Sequence, residues 1–179
     1  MTETVGPPRP RPGDYHEYYA TYVTRVPDGD ILRQLEEEFE ASRALLASLP
    51  PAMEVLRYRP GKWSLREVVG HLADTEWLFA FRALSIGRGD PAALPAMDQD
   101  VWAHHSNAHE RSMSDLVEAW AAIRRATLLL FHSFDDAAWR RKGVASGREV
   151  PVGAFPWIIA GHELHHMEAV RARYLGGVS

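Results

Sequence analysis

Nine histidines stand out in a chain without cysteine, and three of them fall within Gly161-His162-Glu163-Leu164-His165-His166. On a helix turning about 100° per residue, His162 and His166 lie about 40° apart and about 6 Å apart along the axis. Both imidazoles can therefore reach one point. His165 falls about 60° to the other side of His162, which leaves the i, i+4 pair as the better ligand set. Stacking two histidines on an apolar face costs desolvation twice unless something satisfies both, and a divalent metal ion does so. The competing reading is a pair of core or rim histidines satisfied by hydrogen bonds alone. The same residues match HExxH, in which Glu163 would be the general base of a zinc protease. The longer form of that pattern needs Gly where Ala169 stands and His where Ala172 stands. A helical bundle also offers no sheet edge to align a peptide.

A third ligand must come from upstream. The helix beginning near Ser64 offers Glu67, His71, Asp74 and Glu76, and periodicity does not choose among them, because His71 sits at the edge of the stripe Leu65, Val68, Leu72, Phe79 and Ala83. His132 lies opposite the apolar stripe of its own helix and reads as solvated. His104, His105 and His109 belong to a long connection, 95–113, and could line a pocket mouth or stand exposed.

Four amphipathic helices are predicted to position these groups. The first runs over about 30–49 and ends at Pro50-Pro51. The second starts at a capping box formed by Ser64 and Glu67 and runs to about Ser85. The third begins at Ser112 or Ser114, and the fourth spans about 152–175. A small hairpin is predicted around Ser146-Gly147. The fold class expected is all-α, a four-helix bundle, the kind of scaffold that builds metal sites in its core from facing helices. Residues 1–13 hold Pro7, Pro8, Pro10 and Pro12 and are expected to form a disordered tail outside a single domain of residues 14–179.

Composition excludes several classes. Acidic residues outnumber basic ones 24 to 20 over 179 residues, so no global positive field favours nucleic acid or an anionic membrane. No apolar run approaches the roughly 18 residues that cross a bilayer, and the start lacks a signal-peptide core. A cytoplasmic protein is expected. Any thiol chemistry must use a substrate's thiol.

Three stretches carry a resemblance. They are Pro60-Gly61-Lys62-Trp63-Ser64-Leu65-Arg66-Glu67 followed by Gly70-His71-Leu72-Ala73-Asp74; Leu94-Pro95-Ala96-Met97-Asp98-Gln99-Asp100-Val101-Trp102; and Gly161 to His166. In order and spacing these resemble the DinB-like superfamily of metal-binding four-helix bundles, including its YfiT-like bacillithiol-transferase branch, over residues 30–175. The resemblance implies that His71, His162 and His166 hold one divalent ion, zinc, nickel or iron, with open positions of the catalytic kind. It implies transfer chemistry in which a low-molecular-weight thiol, bacillithiol- or mycothiol-like, attacks a small electrophile. Glu163 and Asp74 would be candidates to orient an imidazole or take a proton. Glu168 completes an HxxxHxE pattern seen in iron-binding domains of ergothioneine-synthesising relatives, but that activity, which needs a second domain, is not expected here. A non-catalytic metal-binding bundle and a hydrolase using metal-activated water are the rival readings. Relatives are often dimers; the stripes here do not separate an intersubunit face from an ordinary core, and Trp77 and Trp157, both exposed-looking and off their helices' main stripes, are the candidate contacts of a homodimer.

Overall fold

In the computed structural model, which describes residues 6–176, the helices follow in the order α1 Ala20–Val23, α2 Ile31–Ala47, α3 Pro51–Glu54, α4 Leu65–Gly87, α5 Gln99–His105, α6 Met113–His132, α7 Asp136–Arg140 and α8 Phe155–Ala169. Strands β1 Lys142–Ala145 and β2 Arg148–Pro151 form an antiparallel hairpin before α8. The long helices α2, α4, α6 and α8 make the bundle, with α4 between α6 and α8 and α2 facing both from the other side. None of the described helices is long and apolar enough to cross a membrane.

Local chemistry fixes where these helices begin. The Asp30 carboxylate accepts from the backbone N–H groups of Leu32 and Arg33 at the head of α2. Ser64 and Glu67 form the expected capping box on α4, and Ser112, not Ser114, caps α6. The hairpin turns at Ser146 and Gly147, both at positive φ (54° and 76°), the backbone a two-residue turn of this twist requires. Leu94 bridges to the hairpin through Val144 and Ser146, so the segment leading to α5 is tied to the same wall. The long connection between α4 and α6 is thus largely structured.

Helix α8 departs from the surface-helix pattern. It packs against α1, α2 and α4 at once, so it is apolar or buried on nearly every side. Trp157, expected on the surface, is 1% exposed, and its indole N–H donates to the carbonyl of Pro7. Trp77 is exposed as expected, and Phe81 and Leu84 continue an apolar row along the outside of α4.

The proline-rich start also differs from expectation. From residue 6 onward it lies on the bundle, with Pro7 and Pro10 buried. Arg9 donates to the carbonyls of Val23 and Val26, pairs with Asp28 at 2.8 Å, and lies 4.6 Å over the Trp157 ring. Composition favours an extended backbone there, but an extended segment can still dock where arginine finds free carbonyls and an aromatic face. Residues 1–5, the rest of the expected tail, lie outside the described residues. At the other end, α8 runs on into a π-type segment, Val170–Leu175.

Candidate metal centre

His71 projects from the second turn of α4, and His162 and His166 from successive turns of α8. The three rings meet where the two helices pack: one ligand nitrogen from each lies within 4.8 Å of the others. The Nε2 atoms of His71 and His162 are 3.1 Å apart, close to the roughly 3.3 Å between two nitrogens on a tetrahedral zinc with bonds of about 2.0 Å. The i, i+4 pair is therefore joined by a residue of α4 that periodicity alone does not select.

Burial holds all three imidazoles in the form that binds metal. Desolvation pulls His71 down to about 4 and His166 to about 3, in the latter case with repulsion from its histidine neighbours; it holds His162 well below the ordinary range. Neutral imidazoles offer lone pairs, and no carboxylate takes part in the cluster. Such a donor set suits zinc, nickel or iron. The hydroxyl of Thr75 lies 3.3 Å from Nδ1 of His71. Accepting that N–H, it would leave the Nε2 lone pair directed at His162 and the shared point. Sequence reasoning misses Thr75, although its i+4 spacing from His71 is the available signal.

Packing around the rings is aromatic. Trp63 lies 4.7 Å from His71 by ring centroids, and its carbonyl accepts from the Tyr174 hydroxyl at 2.6 Å. Tyr22 sits edge-on to both His162 and His165. Such closeness requires Gly161: a Cβ there would stand 2.1 Å from the Tyr22 carbonyl oxygen. Two cavities meet at the cluster. One, of about 330 Å³, is lined by His71, His162, Tyr22 and Phe79 among others; the second, of about 490 Å³, reaches His166 past Trp63 and Asp100. Gln99 lines both, so the segment around Asp98 to Asp100 borders the site.

Two candidate residues are placed elsewhere. Glu163 is 1% exposed and is neither a surface carboxylate nor bonded to an imidazole: it accepts from Ser42 at 2.7 Å and from Arg124 at 2.9 Å. Because α8 is enclosed, the face 100° from the histidine stripe meets another helix rather than water. Asp74 is half-buried, its pKa raised by desolvation and drawn back by Arg111, and has no hydrogen bond to His71 among the described residues. The rings of His104 and His105 meet edge to face on exposed positions of α5, while His109 and His132 are exposed too. Glu168 is exposed and pairs with Arg25.

Comparison with known proteins places the fold in a family. The family model described as "DinB superfamily" matches residues 34–170. The chain belongs to the DinB superfamily. No curated protein matches. Among solved structures, YfiT from Bacillus subtilis, described as a probable metal-dependent hydrolase with an unusual four-helix bundle topology, is similar with a TM-score of 0.64 at 17% identity, over 94% of each chain. A mycothiol-dependent maleylpyruvate isomerase is similar with a TM-score of 0.65 at 13% identity, over 81% of this chain. The matched part spans 61% of that isomerase. At these identities the likeness establishes the shared DinB fold.

Proposed function

We propose that the chain is a metal-dependent S-transferase in which His71, His162 and His166 hold one divalent ion and a low-molecular-weight thiol attacks a small electrophile in the cytoplasm. The observation that carries this reading is the convergence of three neutral imidazoles at the junction of two cavities. Three protein ligands leave positions open to a substrate, as catalytic sites do. When bound, such an ion lowers the pKa of a ligating thiol and makes a thiolate available near neutral pH.

The chain's own residues supply the rest. Thr75 fixes the tautomer of His71, while Tyr22, Phe79 and Trp63 keep bulk water from the rings. The absence of cysteine leaves no side-chain thiol to compete with the substrate's. Two separate cavities allow thiol and electrophile to approach from different sides. The relative named mycothiol-dependent supports a thiol cosubstrate. A hydrolase is supported by the similarity to YfiT, a probable metal-dependent hydrolase, but Glu163, the base it would need, is committed to Arg124 and Ser42. The exposed row of Trp77, Phe81 and Leu84 is the face on which a homodimer would form.

Elemental analysis by inductively coupled plasma mass spectrometry tests the site. One equivalent of metal in the wild type, lost in His71→Ala and His162→Ala, is the expected result. Thiol consumption by the loaded protein across a panel of alkylating electrophiles then tests the reaction. A wild type that takes up neither zinc, nickel nor iron overturns both.

A further inference from the structure

The smaller cavity has an unusual charge pattern. Its wall carries Arg82, Arg148 and three histidines but neither aspartate nor glutamate, in a chain where acidic residues are in excess. Arg82 is the more informative. It is 2% exposed, and a guanidinium removed from water needs a counter-charge or a full set of acceptors. It has neither. Its Nη2 donates to the Pro95 carbonyl at 2.6 Å and to the Ser146 hydroxyl at 2.9 Å; Nη1 reaches the Tyr19 hydroxyl only at 3.5 Å; and Nε has no acceptor. Every partner is neutral. The other deeply buried arginine, Arg124, is by contrast met by two carboxylates and a carbonyl.

A second observation points the same way. The neutral groups that hold Arg82 come from the segment before α5 and from the hairpin turn, so the hairpin's place in the fold is to close this cavity and present Arg148 at its rim. Tyr19, Tyr22 and Phe79 give the remaining wall flat apolar surface. One buried guanidinium with two donors already engaged matches a planar single charge better than a dianion.

We propose that this cavity binds a small organic monocarboxylate with a flat apolar body, its charge met by Arg82 in the wall and Arg148 at the rim. Resting on the reading of the histidines as a catalytic centre, this ligand is the electrophilic cosubstrate, held beside His71 and His162. The thiol then has the second cavity.

Titration calorimetry of the metal-loaded protein, without thiol, tests the charge preference directly. The probes are trans-cinnamate, its uncharged amide, and phenyl phosphate. Cinnamate is expected to bind at least about tenfold tighter than cinnamamide, as a charge-assisted contact implies, and tighter than phenyl phosphate. Arg148→Gln should weaken cinnamate about threefold, in keeping with an exposed charge, and leave cinnamamide unchanged. Arg82→Gln should erase the preference for the acid while retaining metal. Should Arg82→Gln fail to fold, the acid–amide comparison and Arg148→Gln decide the matter alone. Equal binding of acid and amide, no cinnamate binding at millimolar concentration, tighter binding of phenyl phosphate, or a preference untouched by Arg148→Gln each overturns the proposal. A preference for the acid in a protein that never consumes thiol overturns the transferase reading and keeps the anion site.

Discussion

Two polar clusters lie buried side by side in this bundle, with His162 and Glu163 as neighbours in sequence, and they are built on opposite principles. Around Arg124, donors and acceptors match: Glu76 accepts from Arg124 and from the Trp120 indole, and Glu163 accepts from Arg124 and Ser42. Burial opposes the Arg124 charge, but the two carboxylates outweigh it and hold its pKa above the ordinary value. This cluster joins α2, α4, α6 and α8 and asks nothing of any ligand. Around His71, the imidazoles face one another with no carboxylate among them, and nearby Arg82 has no counter-ion. A buried network left half-satisfied is worse than an apolar core. The first cluster is therefore the bundle's structural tie, and the second makes physical sense only with a ligand.

Breaking the closed cluster should have the largest effect on stability. Arg124→Met leaves Glu76 and Glu163 facing each other out of water and is expected to cost about 3–5 kcal/mol in urea denaturation. Adding Glu163→Gln should recover part of that loss, since the two residues share one network. Gly161→Ala comes next. The added methyl meets backbone rather than a movable side chain, for an expected loss of about 2–3 kcal/mol. It should also lower metal content, because α1 and α8 can only separate beside His162.

The open cluster should respond instead to ligand and pH. Thr75→Val removes the acceptor for His71 and is expected to weaken metal affinity about tenfold in chelator competition with little change in folding. Stripped of metal, the protein should lose stability as pH falls. Unfolded imidazoles take up protons below about 6.5, whereas folded His71 and His166 resist to about 4 and about 3. That contribution is complete above the unfolded value and declines towards pH 4. Thermal melts with and without chelator should differ at pH 7 and converge in acid, as protons displace the ion. Parallel curves at all pH values would exclude the triad as the site.

The same contrast explains which features are legible in the sequence. The four long helices, their caps and the hairpin are legible, because periodicity, Ser64 with Glu67, and Ser146-Gly147 are local signals. His162 and His166 are legible because they share one helix. His71 needs the family resemblance, since a residue at a stripe's edge is committed only by what packs there, here Trp63 and α8. Glu163 and Trp157 depart from expectation for one reason. Over residues 155–163 α8 is enclosed by its neighbours and has no outer face, so angle from the stripe says nothing about exposure there. Arg82 carries no local signal at all; its meaning lies in the carboxylates that are missing around it.

Glu38 offers the finest test, because it lies at the margin of the closed cluster. Burial and the charge of Glu163 raise its carboxyl to about 8 in spite of Arg124, and its Oε2 has no partner. In the unfolded chain the proton leaves near the ordinary carboxyl value of 4.5. Between those two values the folded state carries the extra proton, so this residue erodes stability as pH rises from about 4.5 to about 8. Glu38→Gln should therefore be more stable than the wild type at pH 8. A gain of about 1 kcal/mol is expected once solvent screening of a partly exposed group is allowed for, and it should vanish at pH 4. A loss of stability at pH 8 would mean that Arg124 holds three carboxylates rather than two, and that the closed cluster extends to the surface.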